Sequence, residues 1–144
     1  GSIEGVKVTM LLADAAQAVG GKLYVLGGGW SVIGPGRASM AIAMKIDVPW
    51  DQTGVRHTWV LDLLDQDGQP VRTSAPDGER DVRITGNFEV GRPPGVAEGS
   101  PIDLPLAIGI GPLSLPPATR CVWRLAIDGT TRPDWQLAFD VRSA

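Results

Sequence analysis

Apolar and polar residues alternate with a period of two along most of this chain, in short stretches separated by glycine, proline or aspartate. A period of two places successive side chains on opposite faces of an extended strand, so the pattern predicts an all-β protein. Val6, Val8, Met10 and Leu12 alternate with Lys7 and Thr9 and form the first strand. Residues 13–19, between that strand and Gly20-Gly21, are too few for a stable helix and read as a turn. Lys22 to Leu26 is extended again, and Gly27-Gly28-Gly29 ends it, the loop running on through Gly34-Pro35-Gly36. Met40, Ile42, Met44 and Ile46 share the next apolar face. Ala41 and Ala43 sit on the opposite parity between Ser39 and Lys45, which predicts a strand covered on both sides at its middle. Val48-Pro49-Trp50 closes that strand, because proline has no N–H to donate to a ladder.

His57, Trp59, Leu61 and Leu63 form the next parity, and Asp65-Gln66-Asp67-Gly68 reads as a hairpin turn with a return strand from Val71. Residues 74–80, SAPDGER, read as a polar turn. Val82, Ile84, Phe88 and Val90 alternate cleanly; Gly86 on their parity predicts a bulge or a close approach by another side chain. Ile102 to Ile110 is apolar at every second position, Pro105 assigns it to an edge or a bulge, and Gly111 to Pro117 reads as a loop. Cys121, Trp123, Leu125 and Ile127, then Asp128-Gly129, then Trp135, Leu137, Phe139 and Val141 predict a closing hairpin with both strands on one core. About eight or nine short antiparallel strands cover their faces best as a two-sheet antiparallel β-sandwich. An immunoglobulin-like arrangement is the expectation, with a jelly roll as the alternative.

Composition narrows this picture without changing it. A chain of 144 residues makes one domain, with residues 5–144 as the sandwich and residues 1–4, opening on a Gly-Ser typical of a cleaved tag, as a remnant and disordered start. A net charge of -3 gives no basic excess with which to bind nucleic acid or an anionic membrane. The single Cys121 leaves no intrachain disulfide, so a reducing cytoplasm is the expected location.

Catalytic chemistry is poorly supplied. Acid-base or nucleophilic catalysis would have to draw on one His, one Cys and one Tyr. Cys121 shares a parity with Trp123 and reads as a small buried hydrophobe, and His57 reads as a hydrogen-bonded residue at a strand entrance, although a dyad of the two is formally open. Zinc needs more His and Cys ligands than are present, and Asp65 to Gly68 lacks the remaining carboxylates of a calcium loop. Gly27-Gly28-Gly29 lacks the Lys-Ser/Thr pair and helix of a phosphate loop. No cofactor or metal is expected. The five tryptophans are more informative: Trp59 and Trp123 fall within alternating strands, whereas Trp30 and Trp50 fall in or beside loops.

The segments LLADAAQ, GKLYVLGGGW, VPW, the RHT ahead of an apolar strand, LLDQDGQPV, FEVGRPPG and VWRLAIDG together resemble an uncharacterised bacterial family, a domain of unknown function, from about Val6 to Arg142. The resemblance implies a stand-alone soluble β-sandwich and supplies no catalytic residues.

The expectation is therefore a non-enzymatic protein-interaction or scaffold domain, with its contact surface formed by the loop Gly27 to Arg37 together with Trp50, and Trp30, Trp50, Arg37 and His57 as binding residues. A small-molecule or carbohydrate-binding sandwich using the same indoles is the alternative, and an enzyme using carboxylates with His57 the least favoured reading. The two-sided apolar pattern of residues 40–48 and the edge-like Ile102 to Ile110 also point to a homodimer.

Overall fold

A computed structural model describes residues 3–144. Its eleven strands are β1 (Lys7–Val19), β2 (Lys22–Gly28), β3 (Val32–Ile33), β4 (Gly36–Val48), β5 (Arg56–Asp65), β6 (Arg72–Ala75), β7 (Gly78–Asp81), β8 (Arg83–Glu89), β9 (Ile102–Leu115), β10 (Thr119–Ile127) and β11 (Thr130–Val141). One sheet has the order β2-β1-β4-β9, the other β3-β11-β10-β5-β8, and β6 pairs with β7 as a separate hairpin. All pairings are antiparallel except β3 with β11.

The alternating apolar residues meet between the two sheets. Leu12, Ile42, Met44 and Ile46 from one sheet and Leu61, Leu63, Trp123, Leu125, Ile127, Trp135 and Phe139 from the other are fully buried. Gly86, on the inner parity of β8, stands opposite Trp59, and a Cβ there would lie 2.5 Å from the indole ring. The glycine is therefore a close approach, in which the ring covers the bare backbone of its neighbour. Pro105 lies on β9, an edge strand, where its missing N–H interrupts no ladder bond on the open side.

Four local expectations are corrected. Residues 13–19 are not a turn: β1 runs on to Val19, because β2 supplies a partner for its backbone. Residues 74–80 are largely strand, β6 and β7 meeting around Pro76-Asp77. Gly111 to Leu115 continues β9 against the first residues of β4, after a register shift at Ala38/Met40. Ile3, set outside the fold by the sequence reading, is buried, its carbonyl accepting from the backbone N–H of Val6 and from Arg132 Nη2; Gly1 and Ser2 lie outside the described residues.

The apolar second face of β4 is covered within a single chain. Ala41 and Ala43 are 3% and 2% exposed, flanked in register by Ala13 and Leu11 on β1 and by Gly109 and Ala107 on β9. Side chains already buried within one chain need no second molecule to cover them, so this strand no longer supplies a reason to dimerise.

Candidate functional site

Beyond Ala13, β1 leaves its register with β4 and pairs only with β2, from Ala15↔Leu26 to Val19↔Lys22. Gly20 and Gly21 close the hairpin, both with positive φ (59° and 76°), the backbone a two-residue turn requires and glycine adopts without strain. The result is an arm of two strands whose outer strand, β2, is an open sheet edge. Its large apolar side chains are bare: Leu26 is 71% exposed, Val19 56%, Tyr24 55% and Val25 38%. Between residues 13 and 28 the charged residues are Asp14 and Lys22, so the arm is electrically neutral and has little to keep it apart from another apolar surface.

The other open edges are protected. β9 carries Pro105 and Asp103, and β3 is two residues long. β8 carries Arg83, bridged to Asp62, together with Gly86 and Glu89. These are the devices by which sheets avoid edge-to-edge pairing, and β2 lacks them apart from Lys22 at its start. The signal for this site was present in the sequence: Gly-Gly, flanked by AQAV and KLYV, is a two-residue hairpin turn.

The residues singled out from sequence do not form one surface. Arg37 is exposed near the start of β4, opposite Ser114. Trp50 follows Val48 at the other end of that strand, roughly 36 Å away at about 3.3 Å per residue. Trp30 is half-buried, its ring edge-on to Phe139 at 6.2 Å, and its indole N–H is buried without a hydrogen-bond partner. It anchors the glycine loop to β11 and does not form a gripping surface.

Trp50 opens a single 3-10 turn, Trp50–Gln52. Arg92 stacks over its ring at 4.0 Å and donates from Nη2 to the Trp50 carbonyl and from Nε to Thr53 Oγ1. The indole lines a cleft of about 480 Å³ with Lys7, Asp47, Pro49, Asp51 and Pro101. That volume falls within the range of small-ligand pockets.

His57 is 2% exposed and stacked on Phe88. Its Nε2 donates to the Gln52 carbonyl at 3.0 Å, and Nδ1 faces Asp128 Oδ2 at 2.7 Å. Both ring nitrogens face acceptors, which suits the doubly protonated imidazolium. Burial alone would lower its pKa, but the Gln52 carbonyl and the Asp128 carboxylate outweigh burial and raise it above 6.5. For Asp128, burial acts upward and is outweighed by the bonds from His57 and the Thr58 amide, so its pKa lies below 3.8. A histidine with a raised pKa stabilises the fold below its unfolded value and loses that contribution as pH rises through the folded one; a depressed carboxylate does the reverse on the acid side. The pair therefore contributes most between about pH 4 and 6.5.

Cys121 is buried opposite Asp65, eight residues along β5 from His57 and so roughly 26 Å from it, which removes the dyad. Burial pushes the thiol pKa up, away from the reactive thiolate. Asp65 Oδ1 accepts from the amides of Asp67 and Gln69, as a turn-forming carboxylate does. Among the described residues no three His, Cys, Asp or Glu side chains are grouped to hold a metal ion, and no helix is long and apolar enough to cross a membrane.

A family model described as a family of unknown function (DUF6941) matches residues 8–141. No curated protein and no solved structure matches the chain.

Proposed function

The chain belongs to this family of unknown function, and we propose that it is a non-enzymatic protein-interaction domain whose contact surface is the β1–β2 arm. The observation that carries the reading is an unprotected sheet edge bearing Leu26 at 71% and Tyr24 at 55% exposure. Burying those two side chains on a partner contributes on the order of 1–2 kcal/mol each, and the free backbone of β2 supplies a hydrogen-bond ladder for an added strand. The lone histidine and lone cysteine both serve the interior, which supports a non-catalytic role.

The same reading takes the sandwich as immunoglobulin-like. The order β11-β10-β5-β8 matches the G-F-C-C′ sheet of a variable-type domain, β1-β4-β9 supplies an A-B-E counterpart, and Trp59 falls on the strand that carries the core tryptophan. It further assigns the chain to the bacterial cytoplasm, with which the free, buried Cys121 is compatible.

The double variant Tyr24→Ser/Leu26→Asp changes only exposed side chains, so its unfolding free energy stays within about 0.5 kcal/mol of the parent. In-cell crosslinking followed by mass spectrometry is expected to lose the adducts that the parent chain forms, including those with further copies of itself. An unchanged set of adducts would overturn the reading.

The Trp50 cleft favours a second reading, a small-molecule or carbohydrate site in which the indole packs against the ligand and Lys7, Asp47 and Asp51 orient it. Titration with a glycan and metabolite library is expected to change Trp50 fluorescence saturably, with no such change in Trp50→Phe. A flat response across the library rejects this second site.

A further inference from the structure

We infer that the occupant of the β2 edge is the β2 edge of a second copy of this chain, paired antiparallel about a two-fold axis at Val25. The inference rests on the reading of the β1–β2 arm as a contact surface and names its partner.

The backbone sets which atoms are available. Gly20-Gly21 is a two-residue turn, so the residues that flank it, Val19 and Lys22, are a hydrogen-bonded pair, and the constant register from Val19↔Lys22 to Ala15↔Leu26 carries that phase along the arm. Hydrogen-bonded and non-hydrogen-bonded pairs alternate. Lys22, Tyr24 and Leu26 therefore direct their N–H and C=O groups toward β1, while Leu23 and Val25 direct theirs to the open side. A two-fold pairing that sets Val25 against its own copy makes the two Val25 residues a hydrogen-bonded pair that exchanges the free N–H and C=O groups at the axis, with Tyr24 and Leu26 of each chain in the closer non-hydrogen-bonded positions opposite Leu26 and Tyr24 of the other.

The side chains agree with that register. Tyr24 meets Leu26 on one face, twice, an aromatic-aliphatic cross-strand pair of the kind that stabilises sheets. Leu23 meets Gly27 and Lys22 meets Gly28, so no large side chains collide and no like charges face each other. Moving the axis by one residue to Tyr24 would set Lys22 against Leu26. The arm is also uncharged overall, although the whole chain carries -3, so two arms approach without repulsion where two whole surfaces would not.

Closure is the third argument. The joined sheet runs β9-β4-β1-β2 and then the same strands in reverse in the second copy, so both of its ends are β9, the edge guarded by Pro105 and Asp103. A two-fold contact thus removes the exposed edge without creating another, and assembly stops at two. A foreign strand would need a complementary pattern that nothing else in the chain specifies. A seven-residue strand pair is small beside the about 1,600 Å² of a standard interface, so the dimer is concentration-dependent, with dissociation in the micromolar range.

The test places charge on the axis. Val25→Lys and Val25→Asp each set like charges directly opposite in the self-paired dimer and are expected to weaken it by about tenfold or more. An equimolar mixture of the two is expected to regain a mass of twice 15.2 kDa in sedimentation equilibrium at concentrations where each alone stays at the monomer mass. Val25→Cys is expected to form an intermolecular disulfide under mild oxidation, because a hydrogen-bonded pair sets Cα atoms about 5.5 Å apart, a separation that a disulfide spans, and Cys121 is buried. Thr9→Cys, exposed on β1 away from the hairpin, serves as the control and stays monomeric. A parent chain that remains at 15.2 kDa to millimolar concentration, or a Val25→Cys variant that crosslinks no faster than Thr9→Cys, overturns the self-pairing. In either case, Tyr24→Ser/Leu26→Asp-sensitive adducts with other proteins would leave the interaction reading standing, and their absence as well would remove both.

Discussion

Replacing Asp128 with alanine is expected to lower the unfolding free energy by about 3 kcal/mol and the thermal midpoint by about 10 °C. Two losses combine. His57 stays buried with Nδ1 facing no acceptor, and leaving one member of a buried pair without its partner is far more destabilising than the pair is stabilising. Residue 128 also has φ +50°, a left-handed conformation that aspartate and asparagine adopt at lower cost than alanine, which adds about 1 kcal/mol. Asp128→Asn separates the terms, since it keeps the turn conformation and an acceptor for the Thr58 amide while removing the charge. The parent chain is expected to melt higher at pH 6 than at pH 8.5, because the stability that the raised pKa of His57 supplies is present below about 6.5 and falls away as pH rises, and Asp128→Asn is expected to flatten that difference. Thermal unfolding followed by circular dichroism measures both. A parent midpoint that rises from pH 6 to 8.5 would contradict the imidazolium assignment, and an Asp128→Ala loss under about 1 kcal/mol would show that the pair matters little.

Gly86→Val is expected to destabilise by about 2–3 kcal/mol, and Gly86→Ala by somewhat less. Neither effect comes from backbone conformation, since the position has no positive φ. The added carbon falls 2.5 Å from Trp59 Cζ2 and 2.6 Å from Cε2. The ring is 8% exposed among core residues and cannot swing clear without displacing them. In a Trp59→Phe background the smaller ring leaves room for the new carbon, so the added loss from Gly86→Ala is expected to fall below half, a coupling that a double-mutant cycle in urea reads directly. Additive losses in that cycle would mean that the two residues do not meet as described.

Much of this was legible before any coordinates, for reasons that can be stated residue by residue. Strands with one wet face betray themselves by period, and Val82 to Val90 and the hairpin through Asp128-Gly129 fall as their alternation predicts, while Met40 to Ile46, covered on both faces at its middle, was marked by the alanines on its second parity. Gly86 on a core parity signalled a bulge or a close approach, and it is the close approach that the Trp59 ring makes. Pro105, with no hydrogen to donate, signalled an edge or a bulge, and β9 is an edge.

The proposed contact surface was less legible, because it depends on which ends of strands share a side of the molecule. Trp30, Arg37 and Trp50 are near in sequence, yet a thirteen-residue strand carries Trp50 to the far end of the sandwich. The β1–β2 arm went unread because alanine-rich AQAV has weak strand propensity, and only the pairing with β2 holds it extended. Periodicity, turn chemistry and composition by themselves determined an all-β chain, its core residues and the scarcity of catalytic groups, since each of these is a local property of side chains and backbone. Which edges are open, that Ala41 and Ala43 are already covered, and that His57 meets Asp128 across 71 positions were decided only by the tertiary structure, because each depends on residues far apart in sequence arriving at the same place.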